Sequence, residues 1–133
     1  HVLFRRQRQM CIRDSLEKHK NDKKIIASGS LNFIVEGFSR VFSIDTFFGT
    51  PLEIENNKIT GNLDGVATFA EGKLITMQEW SKKNNFNLED ATFYTDSIND
   101  LPLVKVCKNS IIISPDEELE KYAKENSLEI IYR

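Results

Sequence analysis

Apolar positions along this chain change period several times, and each change marks an element. Ile25-Ile26-Ala27 is a short apolar run ending in Ser28-Gly29-Ser30, the pattern of a buried strand entering a loop. Leu31, Phe33, Ile34, Val35, Phe38, Val41 and Phe42 then recur at helical spacing, with Ser30 or Asn32 as the expected N-cap. Ile44 to Phe48 is the next strand candidate. Between Pro51 and Leu63 the period shortens: Leu52, Ile54 and Ile59 alternate with polar residues around Glu55-Asn56-Asn57-Lys58. This predicts a β-hairpin turning at Asn56-Asn57. Gly72 opens a second amphipathic helix through Leu74, Ile75, Met77 and Trp80, which fades at Asn84-Asn85. Ala91 to Thr95 predicts a strand, Leu101 to Val106 a short helix and Ile111 to Ile113 a strand. Asp116 to Asn126 predicts a helix and Leu128 to Tyr132 a last strand.

Short apolar strands that alternate with helices predict an α/β fold, a parallel sheet covered by helices on both faces. At 133 residues the chain allows one domain, and 40% hydrophobic residues are enough for a core. A net charge of −2 gives no reason to expect nucleic acid or an anionic membrane as partner. No apolar run approaches the roughly 20 residues that span a bilayer. Cys11 and Cys107 have no companions at metal-ligand spacing and suit a reducing cytosol, so a cytoplasmic location is expected. Oligomeric state is left open.

The first fourteen residues differ from the rest. They carry Arg5, Arg6, Arg8 and Arg13 against Asp14 alone, whereas later basic residues are lysine apart from Arg40 and Arg133. A basic targeting arm is one reading, but no apolar signal-peptide segment follows the arginines. We read residues 1–14 instead as a non-native leader resembling translated adapter or vector sequence, with native sequence starting near Ser15 or Leu16. Leu16 to Lys24 is lysine-rich and suits the end of an exposed helix.

In a parallel sheet, ligands gather at the carboxyl ends of the strands. The strand before Ser28 delivers a hydroxyl there, and the strand ending at Thr95 delivers Asp96 and Asp100. The helix that follows Phe69-Ala70-Glu71-Gly72 begins with Lys73. Carboxylates hold a hard cation through oxygen, while an ammonium and a hydroxyl neutralise and orient phosphoryl oxygens. Backbone N–H groups after Ser28 add donors. The set suits a phosphate-and-magnesium site. Taken singly, each element has a plainer reading: a turn at Ser28, a solvated Lys73, a polar loop capping a helix at Asp96–Asp100.

Their order carries more. Ala27-Ser28-Gly29-Ser30, then Glu71-Gly72-Lys73, then Thr95-Asp96-Ser97-Ile98-Asn99-Asp100-Leu101-Pro102 resemble the second, third and fourth motifs of the haloacid dehalogenase (HAD) superfamily. The hairpin entry Gly49-Thr50-Pro51-Leu52-Glu53 supports the resemblance. It covers roughly Ile25 to Arg133 and is narrowest to the phosphoserine-phosphatase-like branch, subfamily IB. It implies a HAD-like, Rossmannoid sheet with a β-hairpin insertion and its first strand missing. It also implies a Mg2+-dependent phosphomonoesterase that works through an aspartyl-phosphate. On that resemblance, Ser28 binds the phosphoryl group with help from the Gly29 amide, and Lys73 neutralises phosphate and the nucleophilic carboxylate. Asp96 ligates magnesium, Asp100 stands behind it holding a metal-bound water or Lys73, and Asn99 hydrogen-bonds near the phosphate. Residues 15–24 become the tail of a cap helix, and 25–133 a partial hydrolase core.

The family's nucleophile and its general acid–base partner sit in an Asp-x-Asp motif on a strand upstream of the serine loop. Before Ser28 this chain has only Asp14 and Asp22, single carboxylates in charged surroundings. The expectation is therefore a chain without phosphatase activity of its own. A catalytically inactive HAD-fold binding or interaction protein is the alternative. A receiver domain fits poorly, because Lys73 precedes the Asp96 loop. The expected substrate is a small phosphomonoester such as phosphoserine; other phosphomonoesters or a lipid phosphate head group stay open. Phe47, Phe48 and Phe69 could line a pocket, although aromatics at strand ends more often belong to the core.

Overall fold

The computed structural model describes residues 12–133. The leader reading for positions 1–11 falls outside the described residues. Residues 12–18 form helix α1. β1 (Ile25–Leu31), α2 (Asn32–Phe42) and β2 (Thr46–Thr50) follow, then a hairpin of β3 (Leu52–Glu55) and β4 (Lys58–Leu63). The second half runs α3 (Glu71–Lys83), β5 (Thr92–Thr95), α4 (Leu101–Val106), β6 (Asn109–Ile113), α5 (Glu117–Glu125) and β7 (Glu129–Ile131).

The strands pair in parallel as expected, but in two separate ladders: β1 with β2, and β5–β6–β7. Among the described residues no strand joins β1 to β5. Both ladders nevertheless rest on one helical layer. Met77 of α3 and Leu103 and Cys107 at α4 form a buried cluster against which Ile25 and Ala27 of β1, Phe48 of β2 and Phe93 of β5 pack. A second cluster joins Val104, Ile112, Leu119 and Ala123, and Phe93 packs against it too. Tyr94, one residue along the pleat, points to the opposite face. There its hydroxyl meets His19 Nε2 at 2.8 Å, just beyond α1. Helices α4 and α5 thus cover one face of the three-stranded ladder, and the turn after α1 meets the other through His19. The helix ends at Lys18, inside the stretch expected to be an exposed helix end, and the residues after it form turns with His19 half-buried.

Two local expectations are corrected. First, β1 does not stop at Ala27. It runs to Leu31 through a register shift between Ala27 and Leu31, so Ser28 and Gly29 lie on an irregular strand end. Second, neither Ser30 nor Asn32 caps α2. The N-cap is Leu31 without a side-chain bond, because the Asn32 amide oxygen is used to accept from the Gly49 N–H at 3.1 Å. The apolar stripe of α2 is mostly left uncovered. Val35 and Ser39 are buried, while Phe33, Ile34, Phe38 and Val41 are exposed.

The hairpin matches its pattern closely. Ile54 pairs with Ile59, and Asn56 and Asn57 take φ of 50° and 61°. That is the left-handed pair a two-residue hairpin turn demands and asparagine tolerates.

Candidate active site

The irregular end of β1 and the loop after β5 open onto one cleft of about 390 Å³. Ser28, Gly29, Ser30, Phe69, Lys73, Asp96, Ser97, Asn99 and Asp100 line it. All the residues expected to carry chemistry therefore meet, although 27 positions separate Lys73 from Asp100.

Lys73 is buried and its Nζ donates to Asp100 Oδ1 at 2.5 Å. The other Asp100 oxygen accepts from the Thr95 hydroxyl at 2.7 Å. The Thr95 oxygen in turn accepts from the Ser97 N–H at 3.2 Å. Asp100 is thus fully engaged in orienting Lys73 and closing the loop, whereas the Asp96 side chain is exposed on the cleft. The Ser28 hydroxyl oxygen accepts from the Ser30 N–H at 3.2 Å, a tight turn that folds the backbone around the serine. Asn99 is exposed, with its amide and backbone N–H both directed to the Ser97 hydroxyl.

Lys73 reaches the cleft because α3 starts hard against the preceding loop. A Cβ on Gly72 would lie 1.9 Å from the Ala67 carbonyl oxygen, so only glycine fits. Ala70 takes φ 49°, ψ −121°, the first central position of a type II′ turn, which normally holds glycine. The Gly72 N–H closes that turn on the Phe69 carbonyl at 2.9 Å. An L-residue held in so sparsely populated a region costs about 1–3 kcal/mol.

Two groups of supporting residues escaped the sequence reading. Thr50 donates to the Gly29 carbonyl at 2.9 Å and accepts from the Thr68 N–H at 3.3 Å, while the Thr68 hydroxyl donates to the Gly49 carbonyl at 3.0 Å. This buried relay ties the serine turn to the loop leading to Lys73. Asp116 accepts from the Leu119 N–H at 2.8 Å and, through its second oxygen, from the Ile98 N–H at 2.9 Å. Its own N–H donates to the Asp96 carbonyl at 3.3 Å. A proline-preceded aspartate at a helix start signals the cap, but no local pattern signals the link to residue 98.

Magnesium commonly takes one or two carboxylates, several waters and substrate phosphate oxygens. Asp96 fits as one such ligand. Asp100 fits only behind it, since its oxygens serve Lys73 and Thr95. Among the described residues no three His, Cys, Asp or Glu side chains are grouped to enclose a metal.

Residues 7–105 match the haloacid dehalogenase-like hydrolase family. The chain belongs to that family. The match begins within the arginine-rich residues 1–14. Among curated hydrolases, a histidinol-phosphatase of Neisseria meningitidis is 32% identical over 114 residues, covering 83% of this chain and 51% of the relative. A phosphoserine phosphatase of Mycobacterium tuberculosis is 32% identical over 82 residues, 62% of this chain and 27% of the relative. The chain thus spans about half the length of the first of these relatives and less of the second. A Bordetella pertussis protein of unknown function superposes with a TM-score of 0.83 at 25% identity, over 89% of this chain and 55% of that one. A substrate-bound phosphoserine phosphatase shares the fold, with a TM-score of 0.66 at 22% identity over 86% and 52% of the two chains. No helix among the described residues is long and apolar enough to cross a membrane.

Proposed function

We propose that this HAD-family chain supplies the phosphate- and magnesium-binding part of a phosphomonoesterase. The observation that carries the reading is the buried Lys73–Asp100 pair at the mouth of a cleft shared with Ser28, Gly29, Asp96 and Asn99. Ser28 and the Gly29 amide are the proposed phosphoryl ligands, Lys73 the proposed counter-charge, and Asn99 a donor at the rim. The charges lining the cleft support a cation. Lys73 and Asp100 offset each other, so a dianionic phosphate arriving beside Asp96 would meet uncompensated negative charge. A divalent cation held by Asp96 removes that conflict, and magnesium is the proposed ion. When bound, it would neutralise phosphoryl oxygens as a Lewis acid.

The proposed substrate is a small phosphomonoester. Two relatives are named for histidinol phosphate and phosphoserine, both phosphate esters of small amino alcohols, which supports this class. In the proposed mechanism the phosphoryl group passes to an aspartate nucleophile. The segment before Ser28 has no Asp-x-Asp to supply it, so the reading places that step outside these residues. The same observation favours the second reading, an inactive HAD-fold binding protein. Sequence upstream of the coding region discriminates the two: an in-frame Asp-x-Asp strand favours the enzyme. We also propose that 15–24 is the tail of a cap helix, helical to Lys18 and turning after it, and that 25–133 is a partial hydrolase core.

Calorimetric titration with inorganic phosphate tests the site. Binding should require Mg2+ in the native chain, and Asp96→Asn should make it largely independent of Mg2+. Equal phosphate affinity with and without Mg2+ in the native chain would overturn the metal assignment. Turnover of p-nitrophenyl phosphate by the purified chain, abolished by Asp96→Asn, would show that the nucleophile is present after all.

A further inference from the structure

Phe69 is the one aromatic residue lining the cleft, and its side chain is turned outward rather than into the core. It is 55% exposed and belongs to neither buried cluster. Its ring edge stands over the serine turn: a Cβ on Gly29 would lie 3.2 Å from Phe69 Cδ2. The next residue, Ala70, holds the glycine-like turn conformation that brings Phe69 and Lys73 to the same opening. Exposed apolar residues elsewhere, on α2 and the hairpin, do not line the cleft. A strained backbone beside an exposed ring at the cleft is the outlier from which a contact role is inferred.

We propose that Phe69 is a specificity-determining residue. Its ring forms the wall against which the alcohol part of the phosphomonoester lies, favouring esters that carry a flat ring one or two bonds from the phosphate-bearing oxygen. This rests on the phosphate-site reading above and deepens it. The geometry leads there directly. The phosphoryl group is held at Ser28, Gly29 and Lys73, and the Phe69 ring adjoins Gly29, so the first atoms beyond the ester oxygen fall beside it. A planar group can stack on that face or meet it edge-on; a short aliphatic chain covers much less of it. Apart from Gly29, which has no side chain, the other lining residues are polar or charged, so no other side chain in the cleft offers a flat apolar surface.

Binding of two non-hydrolysable probes, methylphosphonate and benzylphosphonate, to the purified chain in Mg2+ tests the proposal. The native chain should bind benzylphosphonate about 3- to 10-fold more tightly, the size of one aromatic contact. Phe69→Ala should bring the two affinities together while leaving methylphosphonate unchanged. Phe69→Leu, which retains apolar bulk without a flat ring, should fall between. Circular dichroism of each variant checks that the fold is retained, and Phe69→Leu covers the case in which the alanine variant unfolds. Equal affinities in the native chain, or a benzyl preference that survives in Phe69→Ala or stays undiminished in Phe69→Leu, would overturn the role of Phe69 and leave the phosphate site standing. If neither phosphonate binds, the phosphate reading falls and this inference falls with it.

Discussion

Lys73 and Asp100 face each other with side chains only 10% and 11% exposed. Removing one partner of such a pair leaves the other charge buried without compensation. We expect Asp100→Ala to cost about 3–5 kcal/mol in urea unfolding. The double variant Lys73→Met/Asp100→Leu should cost clearly less than the two single losses combined; simple additivity would mean that the pair is not coupled. Burial also decides the chemistry of Cys107, whose thiol it pushes up to about 11. Because the fold favours the neutral thiol, this contribution to stability is complete below the unfolded thiol range, about pH 8.5. It is lost as pH rises from there toward 11. At pH 8, iodoacetamide should modify Cys107 in urea and spare it in the native chain, read by mass spectrometry of the Cys107 peptide. Labelling without denaturant at the unfolded rate would contradict the burial.

Between elements, Asp116 does two jobs with one carboxylate. It caps α5 at Leu119 and fastens the loop after β5 at Ile98. Asp116→Ala should lower stability by about 1 kcal/mol, the usual cost of a lost N-cap. It should also speed hydrogen exchange at the Ile98 amide, on the loop that carries Asp96. Loss of the cap with Ile98 exchange unchanged would mean that the link to the Asp96 loop has no weight in solution. The cap was readable in the sequence, because an Asp–helix signal involves neighbours in the chain. The second bond was not, since its partners stand 18 positions apart in the chain. The same distinction explains the hairpin and α2. Asn56-Asn57 determines its own turn, whereas the apolar stripe of α2 shows that a face is apolar and cannot say what packs against it.

Across the whole molecule, the two ladders share one helical layer, and β6 alone among the described parallel strands has a partner on each side. Ile112, beside its central residue, is completely buried. Backbone amides of β6 should therefore exchange most slowly, and those of β1 and β2 markedly faster, in native-state hydrogen exchange. Protection of β1 equal to that of β6 would show that its second edge is paired in solution as well.

The sequence alone determined the α/β alternation, the hairpin turn and the three motif phrases, because each depends on residues close together in the chain. It also indicated which strand ends would hold a hydroxyl, an ammonium and carboxylates, since strand direction places them on one rim. Only the tertiary structure decided how those groups divide the work. Asp100 is engaged by Lys73 and Thr95, Asp96 is left open to the cleft, and Phe69 faces the cleft instead of the core. Those outcomes depend on burial and on contacts between distant segments, which local periodicity does not encode.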